Sequence, residues 1–295
     1  MGRVAYVNGR YLPHRHATVH IEDRGYQFAD GIYEVVTVSG GRFVDEIGHL
    51  ERLDRSLREL DMAPPMSRPA MRVIMREVVR RNKVRDGIIY LQITRGVAPR
   101  DHAFPSTPTR PALVMTAKSM SMAGGAARAA EGIKAITAPD IRWDRCDIKS
   151  VALLPNCLAK QAAREAGAYE ALLVDADGMI TEGSSTNAWM VDEDGNLVTR
   201  KADNHILNGI TRLALNALAS RDGVRIVERG FSVDEAKRAR ELFITSSSSF
   251  VMPVVQLDDS VIGNGKPGSV ASRLREIYGA YMTGENREAA AGVGV

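Results

Sequence analysis

Two dipeptides that favour tight turns, each set between short apolar segments, constrain the fold of this chain most strongly. Asn8-Gly9 divides the segment VAYVNGRYL, and Gly40-Gly41 divides GIYEVVTVSGGRFV. Two-residue hairpin turns favour Asn-Gly and Gly-Gly because their central positions need positive φ. The pattern predicts two β-hairpins. The remaining strands and helices do not alternate regularly, and no G-x-G-x-x-G follows a strand. The sequence therefore disfavours a Rossmann domain and indicates an α+β fold.

Helical periodicity and strand-like runs fill most of the remaining chain. Apolar residues at near-helical spacing predict helices over 48–61 and 153–166, with others around Met71–Val79 and Ile210–Leu218. Ser232 followed by Glu235 predicts a capping box that opens a helix at 233–240. Strands are predicted for the segments GIIYLQITRG, PALVMTAKS, GIKAITA, YEALLVD, MITEGSSTNAWMVD and ELFITSSSS.

The length of 295 residues suits one large domain or two ordinary ones. The stretch SMSMAGGAA, residues 119–127, is small and contains glycine, which makes it the best candidate for a linker. We therefore predict an N-terminal domain over 1–118 and a C-terminal domain over 128–283. The low-complexity residues 284–295 are predicted to form a flexible tail.

Composition argues against several classes of partner. The formal net charge is only +3, and the arginines are interspersed with acidic residues, so nucleic acid is an unexpected partner. No stretch approaches the roughly 18 apolar residues of a membrane span, and no apolar signal segment begins the chain. Cys146 and Cys157 are too few for a disulfide framework. These features predict a cytoplasmic protein.

Lys149 is one of only 8 lysines, against 31 arginines, and lies in the mixed-charge segment RWDRCDIKS. A lysine amine is a nucleophile only when it is deprotonated, and burial or a neighbouring cation favours that form. Arg142 and Arg145 could supply the cations. Such a lysine suits Schiff-base chemistry, although spacing alone favours a surface strand with ordinary ion pairs.

Three further segments have residue types that suit a flat, phosphorylated ligand. In TEGSSTN, Glu182 precedes small residues that let the backbone approach a ring, and a carboxylate there could hold a protonated ring nitrogen. In NGIT, Thr211 stands at the start of a predicted helix, where backbone amides suit a phosphate. Plain N-capping by Asn208 is the alternative. The serines of TSSSS could add phosphate donors or form a polar turn.

The loop TRGVAPRDHAFP contains Arg100 and His102. Arginine commonly binds a carboxylate through two parallel N–H donors, and the histidine could donate a further hydrogen bond beside it. Arg52 lies off the apolar face of its helix and could reach a phosphate. For each of these side chains taken alone, an exposed and solvated charge is the more common case.

The sequence gives little support for a metal site or for a catalytic serine nucleophile. His14, His16 and His20 fall in an irregular segment without neighbouring cysteines, so no metal site is predicted. The sequence contains no G-x-S-x-G nucleophile elbow.

Taken together, the amine, the carboxylate, the phosphate donors and the Arg/His pair describe a pyridoxal phosphate site. Six segments, in order, resemble the fold-type IV aminotransferases, and most closely the D-amino-acid aminotransferases: EDRGYQFADGIYEVV, YLQITRGVAPRDHAFP, IRWDRCDIKS, TEGSSTN, NGIT and ELFITSSSS. The resemblance covers residues from about 3 to about 280. It implies a small N-terminal α+β domain and a larger C-terminal domain with a β-barrel-like core.

The resemblance also implies a role for each site residue. Lys149 would form the internal aldimine with pyridoxal 5′-phosphate, and Glu182 would pair with the ring nitrogen. The substrate carboxylate would be bound by Tyr33, Arg100 and His102. The phosphate would be bound by Arg52, Ile210, Thr211, Ser246 and Ser247.

The implied reaction is transamination between D-amino acids and 2-oxo acids, with 2-oxoglutarate or pyruvate as acceptor. In the family, the Arg100/His102 loop would complete the site of the neighbouring subunit in a homodimer. Alternatives on the same fold are an (R)-selective amine transaminase, a branched-chain L-amino-acid aminotransferase and an aminodeoxychorismate lyase. A non-catalytic dimeric binding protein is the alternative from another class.

Overall fold

A computed structural model describes residues 2–284 of the chain. Apart from Gly284, the predicted tail 284–295 lies outside the described residues. The described chain forms two compact units. The first comprises residues 2–121 together with Ile148–Ala152, and the second comprises Met122–Asp147 together with residues 153–284. A short segment that contains Lys149 thus belongs to the first unit, although the residues before and after it in the sequence belong to the second.

The first unit contains an antiparallel six-stranded sheet in the order β2-β1-β6-β5-β3-β4. Its strands are β1 (Val4–Val7), β2 (Arg10–Pro13), β3 (Gly31–Ser39), β4 (Arg42–Phe43), β5 (Gly87–Thr94) and β6 (Ala112–Ser119). Its helices are a 3-10 turn (His14–His16), α1 (Arg24–Phe28), α2 (Glu46–Glu59) and α3 (Arg68–Arg81).

Both predicted hairpins are confirmed. Asn8 and Gly9 connect β1 to β2 with φ values of 46° and 96°, and Gly40 and Gly41 connect β3 to β4 with φ values of 57° and 78°. Positive φ at both central positions matches the twist of the flanking strands. Local turn chemistry is therefore sufficient to define these two connections.

The helices α2 and α3 bury apolar faces against the core of the first unit. Leu50, Leu53 and Leu57 of α2 belong to the same core cluster as Met71 and Met75 of α3. The four-residue and three-residue spacing places each set on one side of its helix. Both predicted helices are therefore confirmed, with ends shifted by a few residues.

The second unit contains a ten-stranded sheet. Its path runs β12-β11-β10-β14-β15-β7-β8-β9-β13, and β16 pairs with β15. The strands are β7 (Ile133–Pro139), β8 (Glu170–Val174), β9 (Met179–Gly183), β10 (Asn187–Val191), β11 (Leu197–Thr199), β12 (Ile226–Glu228), β13 (Phe231–Ser232), β14 (Glu241–Ser246), β15 (Phe250–Leu257) and β16 (Ser260–Val261).

This sheet curls back on itself. The strands β9 and β10 are separated in the hydrogen-bonded path by β8, β7, β15 and β14. They nevertheless meet through a short turn, in which the Gly183 amide donates to the Thr186 carbonyl at 2.7 Å. A sheet whose distant strands meet in this way has a barrel-like core. The predicted architecture of the larger domain is thus confirmed.

Five helices complete the second unit: α4 (Met122–Glu131), α5 (Leu154–Glu165), α6 (Ile210–Arg221), α7 (Val233–Arg238) and α8 (Ser269–Thr283). The capping box predicted for α7 is present. The Glu235 amide donates to Ser232 Oγ at 3.1 Å, and the Ser232 amide donates to Glu235 Oε2 at 2.9 Å. The helices predicted at 153–166 and around Ile210–Leu218 correspond to α5 and α6.

The segment 119–127, the candidate linker, contains the division between the two units, which falls between Ser121 and Met122. Most of it is helical, because α4 begins at Met122. Alanine has the highest helix propensity of all residues, and the alanines of this segment outweigh the cost of Gly124 and Gly125. None of the helices within residues 2–284 has both the length and the apolar character needed to cross a membrane.

Candidate active site

Lys149 lies in a short extended segment along the edge of β3. The Tyr33 amide donates to the Lys149 carbonyl at 3.0 Å, and the Val151 amide donates to the Gly31 carbonyl at 3.0 Å. The preceding residue, Ile148, is buried in the core of the first unit. These bonds pair an otherwise open strand edge and fix the backbone position of the lysine.

The side chain of Lys149 is half-buried beside an aromatic pair. Its Nζ lies 4.2 Å from the ring centroid of Tyr33. The Tyr33 ring in turn lies 5.7 Å from the ring of Tyr90. Burial, and secondarily the interaction with Tyr33, raises the pKa of Tyr90 to about 12, so this phenol stays protonated at neutral pH. The amine therefore lies over the Tyr33 ring, which in turn contacts the ring of Tyr90.

Arg52 forms a buried ion-paired cluster between α2 and β3. Its Nε and Nη2 donate to the two carboxylate oxygens of Glu34 at 2.7 and 2.8 Å, and His49 Nδ1 lies 2.8 Å from Glu34 Oε2. Burial raises the pKa of Glu34, but Arg52 and His49 outweigh it and hold that pKa well below its usual range. The cluster fixes the predicted phosphate-binding arginine in place.

Arg100 and His102 lie on the exposed loop between β5 and β6. The Arg100 guanidinium is 5.1 Å from the ring centroid of Phe28, and the His102 ring is 5.4 Å from the same ring. The two side chains predicted to bind a carboxylate therefore share one aromatic neighbour.

Glu182 is a buried carboxylate at the end of β9 that several donors surround. Arg142 Nη1 donates to its Oε1, Asn187 Nδ2 donates to its Oε2 at 3.1 Å, and the Leu207 amide lies 3.2 Å from Oε2. Arg142 also donates to Asp140, from Nε at 2.9 Å and from Nη2 at 2.7 Å. Hydrogen bonds of this kind stabilise the ionised form of a buried carboxylate.

Arg142 is therefore a counter-ion within the second unit. Burial lowers its pKa, but Asp140 and Glu182 outweigh burial and hold it above the usual value. Arg145 is likewise paired, with Asp147 at 2.9 Å. Both arginines, considered above as cations that could act on Lys149, are thus paired with carboxylates.

Asn187 links the three predicted ligand-binding segments of the second unit. Its Nδ2 donates to Glu182 and also to the Leu207 carbonyl at 2.8 Å. A Cβ added to Gly209 would lie 2.1 Å from Asn187 Oδ1, so the start of α6 approaches this side chain closely. On the neighbouring strand β14, the register partner of Asn187 is Thr245.

The N-terminus of α6 begins at the glycine of NGIT. Gly209 is the N-cap residue and has no side chain to bond the first amides of the helix. Asn208, considered above as the capping residue, instead accepts from Arg212 Nη1 at 3.2 Å. Ile210 and Thr211 follow in the first turn and are buried. A helix start of this kind suits a phosphate group.

The serine cluster forms the loop between β14 and β15. Ser246 Oγ accepts from the Ser249 amide at 3.1 Å and from the Ser248 amide at 3.4 Å. Ser247 lies between them and is half-buried. Because Thr245 pairs with Asn187, this loop and the start of α6 both lie close to the first residue of β10.

The structure thus places the predicted residues in two sets, one in each unit. Sequence reasoning assigned no role to Asn187 and did not identify Asp140 and Glu182 as the partners of Arg142. The only signal for Asn187 was a polar residue opening the buried strand β10. The first set comprises Lys149, Tyr33, Arg52, Arg100 and His102, and the second comprises Glu182, Ile210, Thr211, Ser246 and Ser247.

Two of the three N-terminal histidines, His16 and His20, form local hydrogen bonds. His14 and His16 lie in the 3-10 turn, where Arg15 Nε donates to His16 Nε2 at 3.0 Å, and His20 Nδ1 accepts from the Glu22 amide at 3.0 Å. Within residues 2–284, no group of three or more His, Cys, Asp or Glu side chains is arranged to hold a metal ion.

Comparison with known proteins identifies the family. The family model described as amino-transferase class IV matches residues 31–257, which is most of the chain. The chain belongs to the class IV aminotransferase family. The predicted resemblance to the fold-type IV enzymes is therefore confirmed.

Curated relatives of this class IV aminotransferase include D-alanine aminotransferases. That of Staphylococcus haemolyticus is 38% identical over 277 residues, which cover 94% of this chain and 97% of the relative. That of Bacillus licheniformis is 39% identical over 268 residues, which cover 91% and 93%.

Solved structures similar to this class IV aminotransferase include branched-chain enzymes. The T.th. branched-chain amino acid aminotransferase with pyridoxamine 5′-phosphate superposes with a TM-score of 0.90 at 26% identity, covering 99% of this chain and 98% of that one. The Escherichia coli branched-chain enzyme gives 0.88 at 23% identity, covering 97% and 96%, and indicates a shared fold.

The donor set of this class IV aminotransferase fits a pyridoxal phosphate group. Such a group needs an amine for its aldehyde, an anion for its ring nitrogen and donors for its phosphate. The half-buried Lys149, the buried Glu182 and the glycine-capped start of α6 are residues of the required types.

Proposed function

We propose that this protein transfers amino groups between D-amino acids and 2-oxo acids. The observation that carries the proposal is the pairing of Arg100 and His102 around Phe28, a cationic side chain beside an imidazole on an exposed loop. A guanidinium and an imidazole together suit the carboxylate of an amino acid. The near full-length similarity to D-alanine aminotransferases supports the D-configuration of the donor.

Pyridoxal 5′-phosphate, when bound, supplies an aldehyde and an electron-withdrawing ring that draws electrons from the substrate Cα. Lys149 is the residue that we propose to carry it covalently. With its amine free, Lys149 Nζ would accept the proton from the substrate Cα and would donate it again to complete the transfer of the amino group. Its fixed backbone position at the edge of β3 supports this role.

Glu182 is proposed to hold a proton at the ring nitrogen. Its contacts with Arg142, Asn187 and Leu207 favour the ionised carboxylate, which can accept that proton in a hydrogen bond. A protonated ring withdraws electrons more strongly than a neutral one. Glu182 thereby sets how easily the substrate Cα gives up its proton.

The phosphate is proposed to bind at the start of α6. The Ile210 and Thr211 amides and the Thr211 hydroxyl would donate to it there, because a helix N-terminus favours an anion. The hydroxyls of Ser246 and Ser247 and the guanidinium of Arg52 would add further donors. These contacts orient the cofactor without taking part in proton transfer.

Tyr33, Arg100 and His102 are proposed to bind the substrate carboxylate. The position of that carboxylate relative to the lysine decides which face of Cα presents its hydrogen to Nζ. This geometric relation would select the D-enantiomer. A panel of D-amino acids, L-amino acids and (R)-amines, with pyruvate and 2-oxoglutarate as acceptors, tests the proposal. Preferred turnover of branched L-donors would overturn it.

A homodimer in which the Arg100/His102 loop completes the neighbouring site is part of the proposal. Large apolar side chains near this loop support an interface, because Val97 is 43% exposed and Phe104 is 57% exposed. Tyr26 on α1 is 74% exposed.

Mixing two inactive variants tests this arrangement directly. Lys149→Ala and Arg100→Ala should each be inactive alone. If the loop acts across the dimer, subunit exchange should restore activity, because one site per mixed dimer then combines an intact lysine with an intact arginine. Absence of restored activity in a demonstrated mixed dimer would place the loop at its own subunit's site.

Branched-chain transamination is the second candidate, and the similarity to the T.th. branched-chain enzyme is the observation that favours it. An (R)-selective amine transaminase would keep Lys149 and Glu182 but would not need Arg100. A binding protein without catalysis would take up the cofactor and fail to turn over any donor. The cytoplasmic location expected from the sequence stays a prediction that cell fractionation would test.

A further inference from the structure

We propose that Arg24 is a positioning residue that holds the Arg100/His102 loop and thereby sets the preference for donors with a carboxylate. The inference rests on the proposed function, because it assigns the carboxylate to that loop. Arg24 is buried and charged, and it is not one of the residues proposed to contact the substrate or the cofactor. The contacts of Arg24 within the first unit carry the argument.

The Arg24 side chain reaches directly to the backbone of the loop. Only 2% of Arg24 is exposed, although it is the first residue of the short helix α1. Its Nη1 donates to the Asp101 carbonyl at 2.6 Å, and its Nη2 lies 3.5 Å from the His102 carbonyl. Those two carbonyls immediately follow Arg100. A buried guanidinium bound to backbone carbonyls restrains the chain that carries them.

Asp30 fixes the Arg24 guanidinium from the other side. Arg24 Nε donates to Asp30 Oδ2 at 2.8 Å, and Arg95 Nε donates to the same oxygen at 2.7 Å. Arg95 also donates to the carbonyls of Leu60 and Asp61, at 2.7 and 3.0 Å. The carboxylate compensates two buried cations and ties them to the end of α2. Asp30 directly precedes β3, the strand of Tyr33.

The ring of Phe28 joins Arg24 to the two carboxylate-binding side chains. The Arg24 guanidinium lies 4.8 Å from the Phe28 centroid, while Arg100 lies 5.1 Å and His102 5.4 Å from the same ring. Arg24 therefore restrains the loop through its backbone and also contacts the ring against which Arg100 and His102 rest.

The start of the loop is held independently of the Arg24 side chain. The Arg24 amide donates to the Gly96 carbonyl at 2.9 Å, and Asp23 forms an antiparallel bridge with Val97. A substitution of Arg24 keeps these backbone contacts. It releases the Asp101–His102 part, which follows the carboxylate-binding arginine, and it removes the Arg24 contacts with Asp30 and Phe28.

The test compares Arg24→Met and Arg24→Lys with the control Arg80→Met. Arg80 is an exposed arginine paired with Glu77 on α3. Donors are D-alanine and D-alaninamide, which lacks the carboxylate. We expect Arg24→Met to raise the KM for D-alanine by about tenfold or more, with kcat nearly kept and the KM for D-alaninamide unchanged. Arg24→Lys keeps the positive charge but lacks the planar guanidinium, so it should raise the KM for D-alanine by a smaller factor.

Limited tryptic cleavage after Arg100 gives a second readout that needs no activity. The loop of Arg24→Met should be cleaved about tenfold faster than that of the wild type, and that of Arg80→Met at the wild-type rate. If Arg24→Met matches Arg80→Met in both readouts, the inference is overturned and the proposed function stands. An equal loss of kcat with both donors would assign Arg24 to general stability and also overturn it.

If Arg24→Met does not fold, Arg24→Lys decides by the same two comparisons. If the wild type turns over none of the D-amino acids in the donor panel, the proposed function fails, and the link to donor preference fails with it. In that case the cleavage rates still decide whether Arg24 holds the loop.

Discussion

The side-chain amide of Asn187 donates to the Glu182 carboxylate at 3.1 Å and to the Leu207 carbonyl at 2.8 Å. One side chain thus connects the carboxylate at the end of β9 with the loop that leads into α6. Its close approach to Gly209 extends the connection to the first turn of that helix. The proposed ring-nitrogen and phosphate contacts therefore depend on a common neighbour.

We predict that Asn187→Ala weakens binding of pyridoxal 5′-phosphate by about tenfold or more, because a buried carboxylate loses a donor and the start of α6 loses its neighbour. Titration of the cofactor-free protein, followed by absorbance, measures the dissociation constant. Asn196→Ala is the matched control, since the Asn196 side-chain amide donates to Asp192 on a turn of the second unit. Equal affinities for both variants would contradict the role of Asn187.

Much of the fold follows from local sequence signals. The hairpin at Asn8-Gly9 and the capping box of Ser232 and Glu235 each depend on residues within a few positions of one another. Such interactions need no knowledge of distant parts of the chain. The helix α4 was not predicted from the sequence, although its alanines favour a helix locally.

The site could be predicted only in part. Residue types and their order indicated Lys149 and Glu182, but the pairing of residues 149–151 with β3 joins positions more than a hundred residues apart. The partners of Arg142 and Asn187 likewise depend on how strands assemble. The periodicity and spacing of residues in the sequence contain no information about such contacts, because these contacts form only in the tertiary structure.

The buried Glu34 cluster predicts a pH dependence of stability. The folded-state pKa of Glu34 lies below its ordinary value of 4.5, so its contribution is fully present above that pH and is lost as the pH falls toward the folded value. Glu34→Gln should therefore be less stable than the wild type at pH 7, and the difference should shrink below about pH 4.5. Urea unfolding of both proteins from pH 7 downward measures this, and a constant difference would contradict it.

Loss of the Arg142 guanidinium should strongly destabilise the second unit. Arg142→Met leaves Asp140 and Glu182 without their shared cation, and breaking a buried pair of this kind costs about 3–5 kcal/mol. Urea unfolding at pH 7 measures the loss. Arg273→Met, which removes an exposed pair with Asp222, should leave stability nearly unchanged. Similar losses of unfolding free energy for the two variants would show that the Arg142 ion pairs do not stabilise the protein more than an exposed pair does.

The capping box of α7 should make a measurable contribution. Ser232→Ala removes the acceptor for the Glu235 amide and should lower the free energy of unfolding by about 1 kcal/mol. In a double-mutant cycle with Glu235→Ala, the two losses should be non-additive, because each side chain bonds the backbone of the other residue. Strictly additive losses would argue against a reciprocal box.

The central claim is that Lys149 carries the cofactor. Protein loaded with pyridoxal 5′-phosphate should be reduced with borohydride and digested, and the peptides should be mapped by mass spectrometry. We predict one pyridoxyl label, on Lys149, and none after replacement of Lys149 by Ala. A label on a different lysine, or an unlabelled map of fully loaded protein, would contradict it.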